Sequence, residues 1–417
     1  MATTKITTLK AKKVIVEHDL NVQNMTTLKL APKRNIILKA TNVDFQGQAT
    51  YNGKEIATKE DITNILDKIT VLEDKDVIIK DDIKELREDL NDIKDYDIDK
   101  PGTQDMDGDT TFYIADAEDI TNAINNAQNG DEIKLQTTAS VADTGSSMVI
   151  DGVNVILNLH NNTLVSGNGN DDTVRISNGT VTVKGNGSIT TYDPYDSNHS
   201  TTILSANENG NLIIDGAAIT AVMDDAVNKG QFGVGVFENG QITINDAEIT
   251  TGWYCITGNG GKTNADSKVT INNGNLTSTV DYAIYHPDPG TLIINGGTIT
   301  GGAGAISANN GNIIINGGTL KTTGDGDTGD WNDGTSGQTP AVINLNGKYG
   351  AVNCEINDGT FIAMNNAPIV ITGTKYPVSI SIKGGRFSQK PNAEWIADGY
   401  TVSDEPDEEN FYVVYKA

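Results

Sequence analysis

Aliphatic and polar positions in this chain fall into a nine-residue phrase that returns with a different stretch between copies. It reads Leu212-Ile-Ile-Asp-Gly-Ala-Ala-Ile-Thr220, then Ile242-Thr-Ile-Asn-Asp-Ala-Glu-Ile-Thr250, then Val269-Thr-Ile-Asn-Asn-Gly-Asn-Leu-Thr277. Further copies are Leu292–Thr300, Ile313–Lys321 and Ile380–Ser388. Each predicts a short strand, an Asn-Gly-like corner and the start of a second strand. The last aliphatic residue before each corner is a marker: Ile214, Ile244, Ile271, Ile294, Ile315, Ile356 and Ile382, at gaps of 30, 27, 23, 21, 41 and 26 residues. Val183 and Leu159 extend the series upstream. A fixed motif at variable spacing is the mark of a solenoid. Twenty-odd residues suffice for three short strands and three turns, one coil of a parallel β-helix. Coils about 4.7–4.9 Å apart make these markers a rod on the order of 40 Å long. Hairpins at the Asn-Gly corners are the rival reading, but stacked hairpins would not return the same phrase once per coil.

A second column follows the corners: Asp225-Ala226-Val227, Tyr254-Cys255-Ile256, Tyr282-Ala283-Ile284 and Gly304-Ala305-Ile306. A small residue (Ala226, Cys255, Ala283, Ala305) beside an aliphatic one suits an internal ladder. Cys255 reads as a small hydrophobe, with Cys354 its one possible disulfide partner. The 41-residue gap holds Thr322–Pro340, rich in Gly and Asp, expected as a loop thrown out of the rod.

Over 58–96 the period changes. Ile62, Ile65, Ile69, Leu72, Asp76, Ile79, Ile83, Leu86, Leu90 and Ile93 alternate at steps of three and four. Nine of these ten positions are apolar, which predicts a coiled coil, and isoleucine at both a and d favours three strands over two. Asp76 breaks the seam, as a helix break or as a register or ion-binding device. The stalk would be about 50 Å long at 1.5 Å per residue.

Composition adds an asymmetry. The chain carries net charge −26, yet residues 1–60 hold ten Lys/Arg against five Asp/Glu. Lys10, Lys12, Lys13, Lys33 and Arg34 stand among β-rich stretches such as Val14-Ile-Val16 and Asn35-Ile-Ile-Leu38. Nucleic-acid binding is one reading of such a segment. Aromatics are nearly absent there and the rest of the molecule would repel phosphates, so docking on an acidic protein surface is expected. No 18-residue apolar run is present, so no spanning helix and no membrane insertion is expected. Met1–Lys13 lacks the apolar core of a secretory signal.

After an acidic linker (97–110), Ile120, Ala123, Ile124 and Ala127 share one face of an expected helix at about 117–127, placed to cover the first coil. This helix with Asn129-Gly130-Asp131-Glu132-Ile133 resembles the entry cap of pectate-lyase-like right-handed β-helices. The Asn-Gly-Gly-Thr-Ile-Thr phrases are similar to those of surface β-helix proteins of gut bacteria and their phages. Gly384-Gly-Arg-Phe-Ser388 and Trp395–Tyr400 look like the closing cap, expected at about 386–417. The whole layout resembles tailed-phage fibres, as does Ala49–Ala57 before the coil. The resemblance implies a mainly β chain. It would have a virion-docking segment at 1–57, a homotrimeric stalk at 58–96 and a right-handed parallel β-helix domain at 111–417.

Phage β-helices are often depolymerases, and glycosidases need two carboxylates about 5–9.5 Å apart. Asp224, Asp225 and Asp281 sit at comparable places on neighbouring coils, near Trp253, Tyr254, Tyr282 and Tyr285. These aromatics, with Trp331, are the candidate glycan contacts. Asp325, Asp327 and Asp330 could supply calcium oxygens, the alternative being a solvated acidic loop. Four scattered histidines suggest no metal site, and no cofactor is expected. The sequence therefore points to a non-enzymatic fibre on the virion surface, with a head fibre preferred. It would be anchored to the capsid by its N-terminus and adhere weakly to host-surface or mucus polysaccharide. A tailspike depolymerase and a bacterial surface adhesin are the alternatives.

Overall fold

The computed structural model describes residues 110–417 apart from 116, 142–146, 167–171, 192–201, 222–231, 260–266, 325–339 and 365–366, with the backbone of Lys13–Val16, Asn35–Leu38 and Thr103–Gln104. The chain divides into two units, 1–103 and 104–417. In the first, Lys13–Val16 and Asn35–Leu38 pair in parallel, Val14 opposite Ile36. Lys10, Lys12, Lys33 and Arg34 lie outside the described residues, as does the side chain of Lys13. So does the expected trimer seam of Ile62, Ile65, Ile69, Leu72, Ile79, Ile83, Leu86, Leu90 and Ile93.

The second unit is a parallel β-solenoid. Its markers pair residue for residue: Val183 with Ile214, Ile214 with Ile244, Ile244 with Ile271, Ile271 with Ile294 and Ile294 with Ile315. Ile315 pairs directly with Ile356 across the 41-residue gap, and Ile356 with Ile382. An insertion at a corner leaves the stacking of its neighbours intact, because each coil touches only the next. Every marker from Val183 to Ile382 is fully buried.

One register differs from expectation. Val183 pairs with Leu157, not Leu159, and Leu157 with Ile133. Both leucines are buried, and residues two apart face the same side of a strand. Hydrophobicity alone therefore cannot choose between them. The corner does, at His160 (φ 45°) and Asn161 (φ 61°).

The second column forms a nine-stranded sheet. Its inward row runs Val174, Leu204, Val234, Ile256, Ile284, Ile306 and Ile343. Cys255, Ala283 and Ala305 are fully buried beside it. The rung before Cys255 is Gly233-Val234 rather than Ala226-Val227, which lies outside the described residues. Gly233 N donates to Tyr254 O at 3.0 Å and Val234 N to Cys255 O at 2.8 Å. Cys255 and Cys354 are both free and buried. Burial pushes each thiol up to about 12, which keeps both protonated and unreactive.

The corners add a hydrogen-bonded line. Asn272 Nδ2 donates to Asn245 Oδ1 (2.9 Å), Asn295 to Asn272 (2.8 Å), Asn316 to Asn295 (2.8 Å) and Asn357 to Asn316 (2.9 Å). The Asn of each Asn-Gly corner thus links its coil to the previous one. Gly297 has φ 84°, and a Cβ there would come within 2.6 Å of Gly274 O, so position 297 has to be glycine.

Both ends are closed. The helix Ala117–Asn126 buries Ile120 and Ala123 against the first coils. Asp131 fixes the turn after it, accepting from Thr110 N and Gln128 N, both at 2.7 Å. At the other end Phe387 stacks on Phe361 at 4.6 Å, and Tyr412–Lys416 pairs antiparallel with Gly385–Phe387 and Tyr400–Val402. Arg386 holds this cap through Asp407 (2.6 Å) and Glu409 (2.9 Å).

Inward and outward positions should differ sharply in energy. Ile294→Ala is expected to cost about 2–5 kcal/mol, and Ile293→Ala on the outward face about 1 kcal/mol or less. Urea denaturation of both variants measures this, and equal losses would contradict the inward assignment.

Candidate functional site

The aromatic residues picked out by sequence come together, but not as an open platform. Trp253, Tyr254, Tyr282 and Tyr285 form one buried cluster with Ala303, and Phe232 packs against it. Tyr254 stacks between Phe232 (centroids 5.4 Å) and Tyr285 (4.9 Å), with Trp253 edge-on at 5.8 Å. Trp253, Tyr254, Tyr282 and Tyr285 are each at most 7% exposed. The exposure that a sugar-stacking role requires is therefore corrected. Rings in this arrangement satisfy one another as an aromatic core does. The coils explain it: connections into the nine-stranded sheet are short at Gly252–Cys255, Thr279–Asp281 and Gly302–Ala303, so large rings fill the corner. Tyr282 lies over the Cα of Gly304, its strand partner, which leaves no room for a side chain there.

Asp281 is fully buried and its Oδ1 accepts from Tyr282 N at 2.7 Å. Asp224 and Asp225 lie outside the described residues, as do Trp331, Asp325, Asp327 and Asp330.

The outward row of the nine-stranded sheet carries Arg175, Ser205, Thr257, Tyr285, Ser307 and Asn344. Hydrogen bonds tie much of this face together. Ser205 Oγ and Thr202 Oγ1 donate to the two oxygens of Asp172 (2.5 and 2.6 Å), and Asn207 Nδ2 donates to Ser205 Oγ (2.7 Å). Asn309 Nδ2 donates to Tyr285 Oη (3.3 Å) and Thr372 Oγ1 to Asn344 Oδ1 (2.6 Å).

Among the buried polar side chains inside the coil is an imidazole, His286. It shares the inward side with Ile284, and its strand partner is the core residue Ala308. Only 3% is exposed, and Nε2 has no hydrogen-bond partner among the described residues. Burial pushes the imidazole down from 6.5 to about 4, against a smaller upward pull from its hydrogen bond to the Gly290 backbone.

The large hydrophobic side chains left exposed among the described residues are Val149, Tyr349, Met364, Ile371, Tyr376 and Tyr415. Tyr349 and Tyr376 belong together. They occupy successive turns after the nine-stranded sheet, each preceded by a lysine whose Nζ lies 5.1 Å (Lys348) or 5.4 Å (Lys375) from the ring centroid. Sequence reading missed this pair. Its signal was a Lys-Tyr dipeptide recurring after 27 residues, one coil later, in the turns Gly347–Gly350 and Thr374–Pro377.

No protein family, curated protein or solved structure matches the chain.

The His286 environment predicts a pH effect. The unfolded chain takes up the proton near pH 6.5 and the folded chain only near 4, so stability falls as pH drops through that window. The loss is on the order of 3 kcal/mol. His286→Asn should flatten this slope when urea unfolding is compared at pH 7 and pH 4.5; an unchanged slope would refute the assignment.

Proposed function

We propose that this chain is a non-enzymatic, trimeric fibre of a tailed-phage virion, a head fibre in preference to a tail fibre. Its solenoid serves weak adhesion to host-surface or mucus polysaccharide. A parallel β-solenoid is compatible with adhesion and polysaccharide binding. The observation that carries the reading is the exposed Lys348-Tyr349 and Lys375-Tyr376 pair on adjacent turns of the coil stack. In this reading residues 1–57 dock on the capsid through their basic side chains, and 58–96 trimerise through the isoleucine heptads. The solenoid then points outward, and needs neither metal nor cofactor. Three arms per fibre and many fibres per particle turn a weak contact into firm attachment.

Light scattering of the intact chain should give three times the 44.3 kDa chain mass; a single chain mass would defeat the trimer. Deleting 1–57 should leave the oligomer intact and abolish binding to particles, and a deletion that still binds would remove the docking role. Incubation with capsular or mucin polysaccharide should leave viscosity and reducing ends unchanged. Release of cleaved product would favour the tailspike depolymerase instead.

A further inference from the structure

Three turns stack at the same corner of successive coils: Asn309–Gly311, Gly347–Gly350 and Thr374–Pro377. Tyr349 N donates to Asn309 O (3.1 Å), and Tyr376 N donates to Gly347 O (2.8 Å). The two Lys-Tyr turns therefore lie on successive coils, with the Tyr376 backbone bonded to Gly347, two residues before Tyr349. Tyr349 is 38% and Tyr376 41% exposed. Single exposed hydrophobics are ordinary. Two tyrosines on consecutive rungs, each with an ammonium near its ring, form an ordered patch. The lysine near each ring limits its orientation, as a cation–π contact does. The three turns contain no Asp or Glu, in a chain of net charge −26. The corner is thus locally cationic on an acidic molecule.

We propose that these stacked Lys-Tyr turns bind an anionic, carboxylate-bearing polysaccharide whose chain runs along the solenoid axis. Successive sugars lie on Tyr349 and Tyr376, and the lysines take the carboxylates. The two turns sit on successive coils, so a polysaccharide running along the axis meets both. Pyranose rings offer a flat C–H face to tyrosine, while Lys348 and Lys375 offer point charges to a carboxylate. An acidic peptide would satisfy the lysines but presents no flat face at each rung. A nucleic acid could stack on the rings, but its charge at every phosphate meets the net −26 of the chain less favourably than a sparser polyuronate does. This inference rests on the adhesive reading above and names the ligand class and the residues.

The test uses the full-length protein against immobilised polygalacturonate, hyaluronate and polysialate. Neutral dextran, poly-glutamate and a single-stranded oligothymidylate are the comparators. The intact chain should bind the acidic glycans more tightly than any comparator, and more weakly as salt rises. The Y349A/Y376A double variant should lose about tenfold or more in affinity with an unchanged melting temperature. Y349F/Y376F, which keeps the ring faces, should remain within about twofold of the intact chain. K348Q/K375Q should weaken binding and flatten its salt dependence. If the intact chain binds acidic glycans but Y349A/Y376A binds equally well, the site is wrong and the adhesive function stands. Equal binding to dextran removes the anionic class. Equal or tighter binding to poly-glutamate or the oligonucleotide overturns the glycan assignment. If no polysaccharide binds at all, the adhesive reading falls and this inference falls with it.

Discussion

Parallel backbone hydrogen bonding between coils governs the rest of this molecule. Once Ile294 is paired to Ile271 on one side and Ile315 on the other, every residue of that strand has a fixed neighbour above and below. Inward positions must then stack like on like, because a polar group among Ile and Leu would be buried without partners. Corners must repeat as well, because the chain has to turn at the same place in each coil. The asparagine line from Asn245 to Asn357 follows from the same constraint. An amide repeated at one coil spacing can both donate to and accept from its copies, which satisfies groups that would otherwise compete for water.

That constraint also decides where the chain can vary. Strand positions are held from both sides, so added residues appear at connections, as the direct pairing of Ile315 with Ile356 illustrates. The connections that lead into the nine-stranded sheet differ widely in length. Where those connections are short, Trp253, Tyr254, Tyr282 and Tyr285 pack together instead. Among the described residues, Tyr349 and Tyr376 stand exposed in turns on successive coils at the far side of the same sheet. A coil repeat turns any exposed side-chain pair into a regularly spaced array, a useful property for meeting a repeating polymer.

Much of the fold was legible in advance, and particular residues explain where legibility stopped. The markers from Val183 to Ile382 were readable because an aliphatic residue before an Asn-Gly corner carries both packing and turn information. Leu159 was mistaken for Leu157 because a period of two makes them equivalent until the corner is seen. Ala226-Val227 was placed in the second column, where Gly233-Val234 stands, because a small residue beside an aliphatic one recurs by chance in a chain with 44 glycines. The tyrosines misled for a different reason. Composition says that Tyr254 and Tyr285 are amphipathic; it does not say that they stack on each other at 4.9 Å.

Order along the chain was thus enough to establish a parallel solenoid and most of its inward columns, because strand alternation and corner chemistry act over a few residues. Exposure was decided by the tertiary structure alone. Whether a ring faces water depends on coils that are twenty to forty residues away in sequence and about one strand spacing away in space. That is why Tyr282 and Tyr376, each an ordinary tyrosine in the chain, end with opposite roles. The first fills the rod beside Gly304; the second stands outside it, over the turn of the preceding coil.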